Sequence, residues 1–479
     1  MHFDQQVFLF FFLPAVLFCY AAAGRRYGNV LLLLANLVFY AWEEDIYLLV
    51  LLASLAMNYC FGLMVGRPRG KLVLALALAA NLALLGSFKY ADFLVENINY
   101  LTTLLHLPAI QPPHLHQPLG ISFFTFQVMS YLIDIYRRQV SAQRNPLRFS
   151  LYLSFFPQLA AGPIVRYRRI FRQIESRRAT LAGFAAGARR FIIGFGKKVL
   201  IADILGKGVN FCFALPPSQL SAGQAALGAV AFTLQIYYDF SAYSDMAIGL
   251  ARMFGFRFPE NFDRPYRSLS IREFWRRWHM TLSFWFRDYL YIPLGGNRSG
   301  ALATCRNLLL VFLLCGLWHG ANWTFICWGL WHGLFLVLER PAPVRAFMNR
   351  LPNLLQNMYV MSVVTFGWVF FRADDLAQAG GYLAALCHFS QENVFNSQTF
   401  LIFDQEFWVI LALALAAISP LGQSLENFLA RRRLARRRTQ TAISIVVNSF
   451  VFCFLVFVLL YSLASVVGLG YRPFLYSQF

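Results

Sequence analysis

Two histidines in this chain could do chemistry, judged by the residues around them. His279 lies in the run from Asn261 (NFDRPYRSLSIREFWRRWHMTLSFWFRDYLYIPLGGNRSG), among arginines and aromatic residues. His319 lies in GLWHGANWTFICWGLW (316–331), between two apolar arms. An imidazole in apolar surroundings resists charging. In its neutral form it can take a proton from a hydroxyl. Read alone, each histidine is either a general base or a packing and hydrogen-bonding residue. Polar side chains are costly in or against a membrane, so their retention points to use. His332, inside the second apolar arm, reads as structural. His106, His114, His116 and His388 fall in predicted loops and are assigned no role.

The other familiar constellations are missing. There is no G-x-S-x-G elbow, no H-x-x-x-x-D box, no H-E-x-x-H and no Walker A. Gly194-Phe-Gly-Lys-Lys198 lacks the spacing and the Ser/Thr of a phosphate loop. The eight cysteines are scattered, mostly in apolar runs, without a C-x-x-C pair. They read as small buried hydrophobes and not as disulfides or a zinc set. Histidine-centred acyl transfer is the chemistry left open.

These residues need elements to carry them. Ser270 and Glu273 have the spacing of a capping box. From Ser270 onward, Ile271, Phe274, Trp275, Trp278, Leu282 and Trp285 recur at helical spacing, which predicts one amphipathic helix with its aromatic face at the membrane interface. Its polar side carries Arg272, Arg276 and Arg277. With Trp278 these form a candidate mouth for a phosphate-bearing donor such as a nucleotide thioester; the other reading is a plain membrane-surface helix. Residues 256–300 are thus an amphipathic or re-entrant segment on the cytoplasmic face. Residues 307–338 are a hairpin with His319 at its tip. The two histidines then mark opposite ends of a passage, with His319 across the hydrocarbon from the arginine mouth.

Composition sets the class. Apolar residues make up 58% of the 479 and charged residues 13%, about half the charged share of a soluble domain. The reading is an all-α polytopic membrane protein, one domain over residues 1–479. Twelve apolar runs are candidate spans: 7–23, 30–41 (short), 46–65, 72–88, 121–136, 184–205, 222–250, 308–318, 323–338, 357–371, 400–418 and 442–467. The N-terminus reads as the first span, not as a removed signal peptide. The net charge of +20 lies in loops between these runs. It therefore indicates positive-inside topology and contact with anionic lipid, not nucleic acid. Arg431–Arg438 is the strongest such signal. Segments 91–107 and 149–161 do not cross in this scheme; they lie at the interface or re-enter. No repeat is visible, which weakens a transporter or scaffold reading.

At this point the residues carry a resemblance. PENFDRPYRSLSIREFWRRWHMTLSFWFRDYLYIPLGGNR and GLWHGANWTFICWGLWHG resemble motifs of the membrane-bound O-acyltransferase family, in its bacterial alginate O-acetyltransferase-like branch. So do ISFFTFQVMSYLIDIYR (121–137), SFFPQLAAGPIVRY (154–167) and PFLYSQF (473–479), although the last is less aromatic than usual. The resemblance implies a helical bundle with re-entrant segments and a central funnel. It implies His319 as the catalytic residue and His279 as its support. It also implies acetyl-CoA as donor substrate, with no permanently bound cofactor and no metal. The acceptor would be an exported polysaccharide, reached through a periplasmic partner of the SGNH-hydrolase type at the cell inner membrane. D-alanyl transfer from a carrier protein to teichoic acid is the alternative within the same family.

Overall fold

Backbone polar groups cannot be left unpaired in hydrocarbon, so apolar runs must close their hydrogen bonds internally. They do so here as helices. The computed structural model describes residues 1–388, 402–419, 442–469 and 474–475. The helices are α1 (Leu13–Glu44), α2 (Leu48–Val65), α3 (Gly70–Lys89), α4 (Ala91–Leu104), α5 (Ile121–Tyr136), α6 (Pro146–Ser154), α7 (Phe156–Leu159), α8 (Tyr167–Ser176), α9 (Leu181–Gly196), α10 (Asp203–Ala214), α11 (Ala222–Met253), α12 (Ile271–Arg277), α13 (Met280–Phe286), α14 (Ala301–His319), α15 (Trp323–Leu338), α16 (Ala342–Arg350), α17 (Asn353–Arg372), α18 (Leu376–Cys387), α19 (Gln405–Ile418) and α20 (Ala442–Leu469). No strand occurs among the described residues. The Arg431–Arg438 run and most of the closing motif lie outside them.

Each of the twelve apolar runs falls largely in helix among the described residues, but not one to a helix: 30–41 and most of 7–23 lie in α1, and 184–205 runs from α9 into α10. α1 breaks at Gly24, which has a positive φ of 60°. Among the described residues, five helical stretches are long and apolar enough to cross a membrane: Arg26–Val65, Gly70–Lys89, Ala301–His319, Asn353–Arg372 and Ser449–Gly468. Five shorter apolar helices accompany them. α18 was not among the twelve runs. Its twelve residues are interrupted by a Gly380–Gly381 pair, and it starts where Asp375 accepts the Gln378 N–H at 2.7 Å.

The segment 149–161 is buried, as α6 and α7 joined at Phe155. The helix break frees the N–H of Phe156, and Asn36 Oδ1 of α1 accepts it at 3.1 Å. Such non-helical backbone is tolerated where it is enclosed by protein. α11 runs through the centre, packed on α9, α10 and α17. Its middle is almost wholly buried, and its Phe240 ring lies 4.7 Å from that of His279.

One predicted helix is two. The stretch from Ser270 ends at Arg277, and a second helix starts at Met280. Between them Trp278 is extended and His279 is left-handed (φ 41°, ψ 55°). The periodic residues all turn inward: Ile271, Phe274, Trp275, Trp278, Leu282 and Trp285 are each buried. The aromatic face therefore packs into the protein and not on the membrane interface, because α15 and α17 cover it. The capping box is half formed. Ser270 Oγ accepts the Glu273 N–H at 3.1 Å, but the Glu273 carboxylate takes the N–H of Leu269 at 2.9 Å.

Candidate active site

The hairpin that carries His319 is tight because it contains no side chain where its arms cross. A Cβ on Gly316 would lie 2.2 Å from the Phe325 carbonyl oxygen, and one on Gly329 would lie 2.2 Å from that of Phe312. Only glycine allows α14 and α15 to approach so closely, in the manner of small-residue contacts in membrane bundles. Gly320 follows His319 and faces the Phe325 ring, which a Cβ would meet at 2.1 Å. Asn322 starts α15 by accepting the Thr324 N–H at 3.0 Å, and its amide donates to the Asp374 carbonyl at 2.8 Å. The turn is thereby tied to the end of α17.

His319 is the last residue of α14 and is 4% exposed. Three rings meet it edge to face: Trp318 at 4.9 Å, Trp328 at 5.0 Å and Phe371 at 5.3 Å between centroids. Below it, the carbonyls that end α14 are taken up by α3. Lys89 Nζ donates to the carbonyls of Trp318 (2.7 Å) and His319 (3.0 Å), and the Tyr90 hydroxyl donates to that of Leu317 (2.7 Å).

His279 is held by a loop contact. Asn261 Oδ1 accepts the Thr281 backbone N–H at 3.3 Å and its hydroxyl at 2.9 Å, so that atom is the oxygen of the amide. The same oxygen lies 3.0 Å from His279 Nδ1. Nδ1 therefore carries the hydrogen, and Nε2 is the basic nitrogen. Asn261 is itself fixed: its amide donates to Ser244 Oγ of α11 at 3.0 Å, and its carbonyl accepts the Met280 N–H at 2.9 Å. The His279 imidazole, 1% exposed, is pushed down to about pKa 3 by burial, which keeps it neutral. Its left-handed backbone is uncommon for a non-glycine residue and is typical of functional positions.

Trp318 joins the two histidines. Its ring lies 6.2 Å from that of His279 and 4.9 Å from that of His319. The expectation of opposite ends of a passage is thus corrected. The 40-residue gap in sequence is closed by the fold, which brings the Trp318 ring close to both imidazoles.

Beyond α13 the chain turns through Arg287–Tyr291, anchored by charge. Asp288 receives Arg166 at 2.6 Å and Arg168 at 3.6 Å, and the Tyr289 hydroxyl donates to Asp134 at 2.8 Å. Burial works against the Asp288 carboxylate. Hydrogen bonds from Arg287 and Arg166 outweigh it and hold the carboxyl below its usual range.

Two polar cavities are lined in part by the helices that carry or adjoin these residues. One, of about 660 Å³, is lined by Arg272, Arg276, Arg340, Arg345, Asn349 and Glu339. The other, of about 710 Å³, is lined by Lys198, Lys207, Gln235, Arg372 and Asp374, and by Phe325 and Phe371 next to His319. Arg272 and Arg276 thus share a cavity. Arg277 does not: it pairs with Glu273 at 2.7 Å and faces a separate groove beside α17 and α19. Trp278 lines neither cavity. It is 2% exposed, enclosed by Tyr237, Phe240, Phe262, Tyr266, Phe274 and Trp368. His332 is fully buried between Trp275 and Trp328.

Sequence reasoning missed Asn261 and Lys89. Asn261 was one polar residue among many in a loop. Lys89 had a visible signal: it is a single cation at the end of the apolar run that forms α3. An ionisable residue there is a functional candidate by default.

Comparison with known proteins gives the family. The family model described as MBOAT, membrane-bound O-acyltransferase family, matches residues 114–371, which contain both histidines. The chain is 47% identical over 394 residues to a probable alginate O-acetylase AlgI of Pseudomonas aeruginosa, covering 81% of this chain and 75% of that one. It is 39% identical over 436 residues to a peptidoglycan O-acetyltransferase of Helicobacter pylori, covering 81% and 82%. A teichoic acid D-alanyltransferase of Bacillus subtilis is 32% identical over 233 residues, 45% and 58% of the two chains. This polytopic chain belongs to the membrane-bound O-acyltransferase family and is an O-acyltransferase.

Proposed function

We propose that the chain moves an acetyl group from cytoplasmic acetyl-CoA across the cell inner membrane for O-acetylation of an exported polysaccharide, alginate or another polymer, the acceptor hydroxyl being that of a sugar or of a serine of a partner protein. His319 takes the proton from the acceptor hydroxyl. The oxygen attacks the thioester carbonyl carbon, a C–O bond forms and the C–S bond breaks. The proton passes from the imidazole to the departing thiolate. His279, with Nε2 as its basic nitrogen, orients the thioester or assists that proton transfer. Arg272 and Arg276 bind the phosphates of the donor. The acceptor enters from the cavity beside Phe325 and Phe371. A periplasmic SGNH-type partner completes delivery to the polymer.

One observation carries this reading: two buried histidines share the indole of Trp318, and the ring of Phe371, which lines a polar cavity, meets that of His319. The near-full-length likeness to O-acetyltransferases supports acetyl as the group moved. D-alanyl transfer has narrower support, since that relative matches under half of this chain.

The test compares cells carrying the wild-type chain with cells carrying His319→Ala at equal membrane level. Polymer acetate should fall to background in the variant; near-normal acetate sinks the assignment. Purified chain should release thiol from acetyl-CoA and not from a D-alanyl carrier protein. The reverse preference would replace acetyl with D-alanyl.

A further inference from the structure

Lys89 presents a physical problem. It is 8% exposed, and no acidic residue pairs with it among the described ion pairs. Burying an ammonium without a counter-ion is costly. An apolar residue at the end of α3 would suit the surrounding helices better. What compensates the charge is the end of one particular helix. Nζ donates to the carbonyls of Trp318 and His319, and it lies 3.4 Å from Ser122 Oγ at the start of α5. The last carbonyls of a helix lack intrahelical partners and carry partial negative charge. A cation placed there satisfies both.

The contact is part of a clasp. Tyr90 bonds the preceding carbonyl, Leu317 O, at 2.7 Å. From α4, Asn97 Oδ1 accepts the Trp323 indole N–H at 3.0 Å, and Phe93 packs on that indole at 5.8 Å. Residues 89–97 therefore grip both shoulders of the turn that holds His319. The grip falls on the backbone of Trp318 and His319, the two residues whose rings form the centre.

We infer that Lys89 is a positioning residue for the acyl transfer: its ammonium fixes the end of α14, and so sets where the Trp318 and His319 rings stand relative to His279. The inference rests on His319 being the catalytic residue.

The experiment uses the purified full chain, with Lys89→Met, Lys89→Arg, Tyr90→Phe and His319→Ala, and follows thiol release from acetyl-CoA. A displacement of about 1 Å at a catalytic group costs on the order of 100-fold in rate. Lys89→Met should lose kcat on that scale with KM unchanged. Lys89→Arg, which keeps the cation and its donors, should recover most of it. Tyr90→Phe should lose kcat to a smaller degree, again at unchanged KM. Wild-type kcat in Lys89→Met overturns the inference, as does an equal loss in Lys89→Arg accompanied by a raised KM. If Lys89→Met does not fold, Tyr90→Phe decides: lowered kcat supports the clasp, and unchanged kcat overturns it. Should His319→Ala keep wild-type kcat, the catalytic assignment falls and the inference falls with it. An inactive His319→Ala beside a fully active Lys89→Met sinks the inference alone.

Discussion

Asn261 accepts the Nδ1 hydrogen of His279 at 3.0 Å, and this bond decides which nitrogen of the imidazole is basic. The partners of Asn261 come from three places: Ser244 on α11, Met280 and Thr281 on α13, and the histidine itself. A loop amide thus couples the central helix to the site.

Replacing Asn261 by Leu, of similar size but without the acceptor, should leave His279 free to adopt either tautomer. Partners that orient a functional histidine are worth about 10–100-fold where they have been removed. We expect a kcat loss of that order for acetyl transfer, with the chain still reaching the membrane. Unchanged kcat would show that the tautomer of His279 does not matter to the reaction.

The crossing of α14 and α15 makes a second expectation. Gly329→Ala places a methyl group 2.2 Å from the Phe312 carbonyl, which is backbone and cannot rotate away. The arms must separate. Overpacking of this kind costs about 1–3 kcal/mol. The melting temperature in detergent should fall, and activity should fall with it because His319 sits three residues beyond Gly316 on the same arm. A variant with unchanged melting and activity would mean that the hairpin is looser than described.

The arginines separate by cavity. Arg272→Gln with Arg276→Gln removes two cations from the 660 Å³ cavity, whereas Arg277→Gln removes one from a groove outside it. Hydrogen bonds to charged groups contribute about 1.5–3 kcal/mol each. The double variant should therefore raise KM for acetyl-CoA by about tenfold or more, and Arg277→Gln should leave it near wild type. Equal effects from both would argue against the cavity as the donor mouth.

Much of this was legible in the residues because it depends on local pattern. Long apolar runs had only helices open to them, and the glycine-flanked turn after Trp318 marked the hairpin. The inward stripe from Ile271 to Trp285 was correctly periodic. The break at His279 was not legible, since nothing in FWRRWHMTL interrupts a helix by propensity; Asn261 and the left-handed histidine impose it. That the arginines divide between cavities follows from Arg277 finding Glu273 four residues back. The closeness of the two histidines, and the role of Lys89, arise from packing between distant segments. Lys89 and His319 are 230 residues apart. Spacing along the chain carries no information about such contacts.

The central claim is that His319 performs the acyl transfer in a site it shares with His279. The most direct measurement is single-turnover cleavage of acetyl-CoA, with water as the acyl acceptor, by purified wild-type chain and by His319→Ala, with melting temperatures taken on the same samples. Wild-type chain should release thiol, and His319→Ala should melt near wild type while releasing none above the uncatalysed rate. A folded His319→Ala that cleaves the thioester at the wild-type rate would contradict the account.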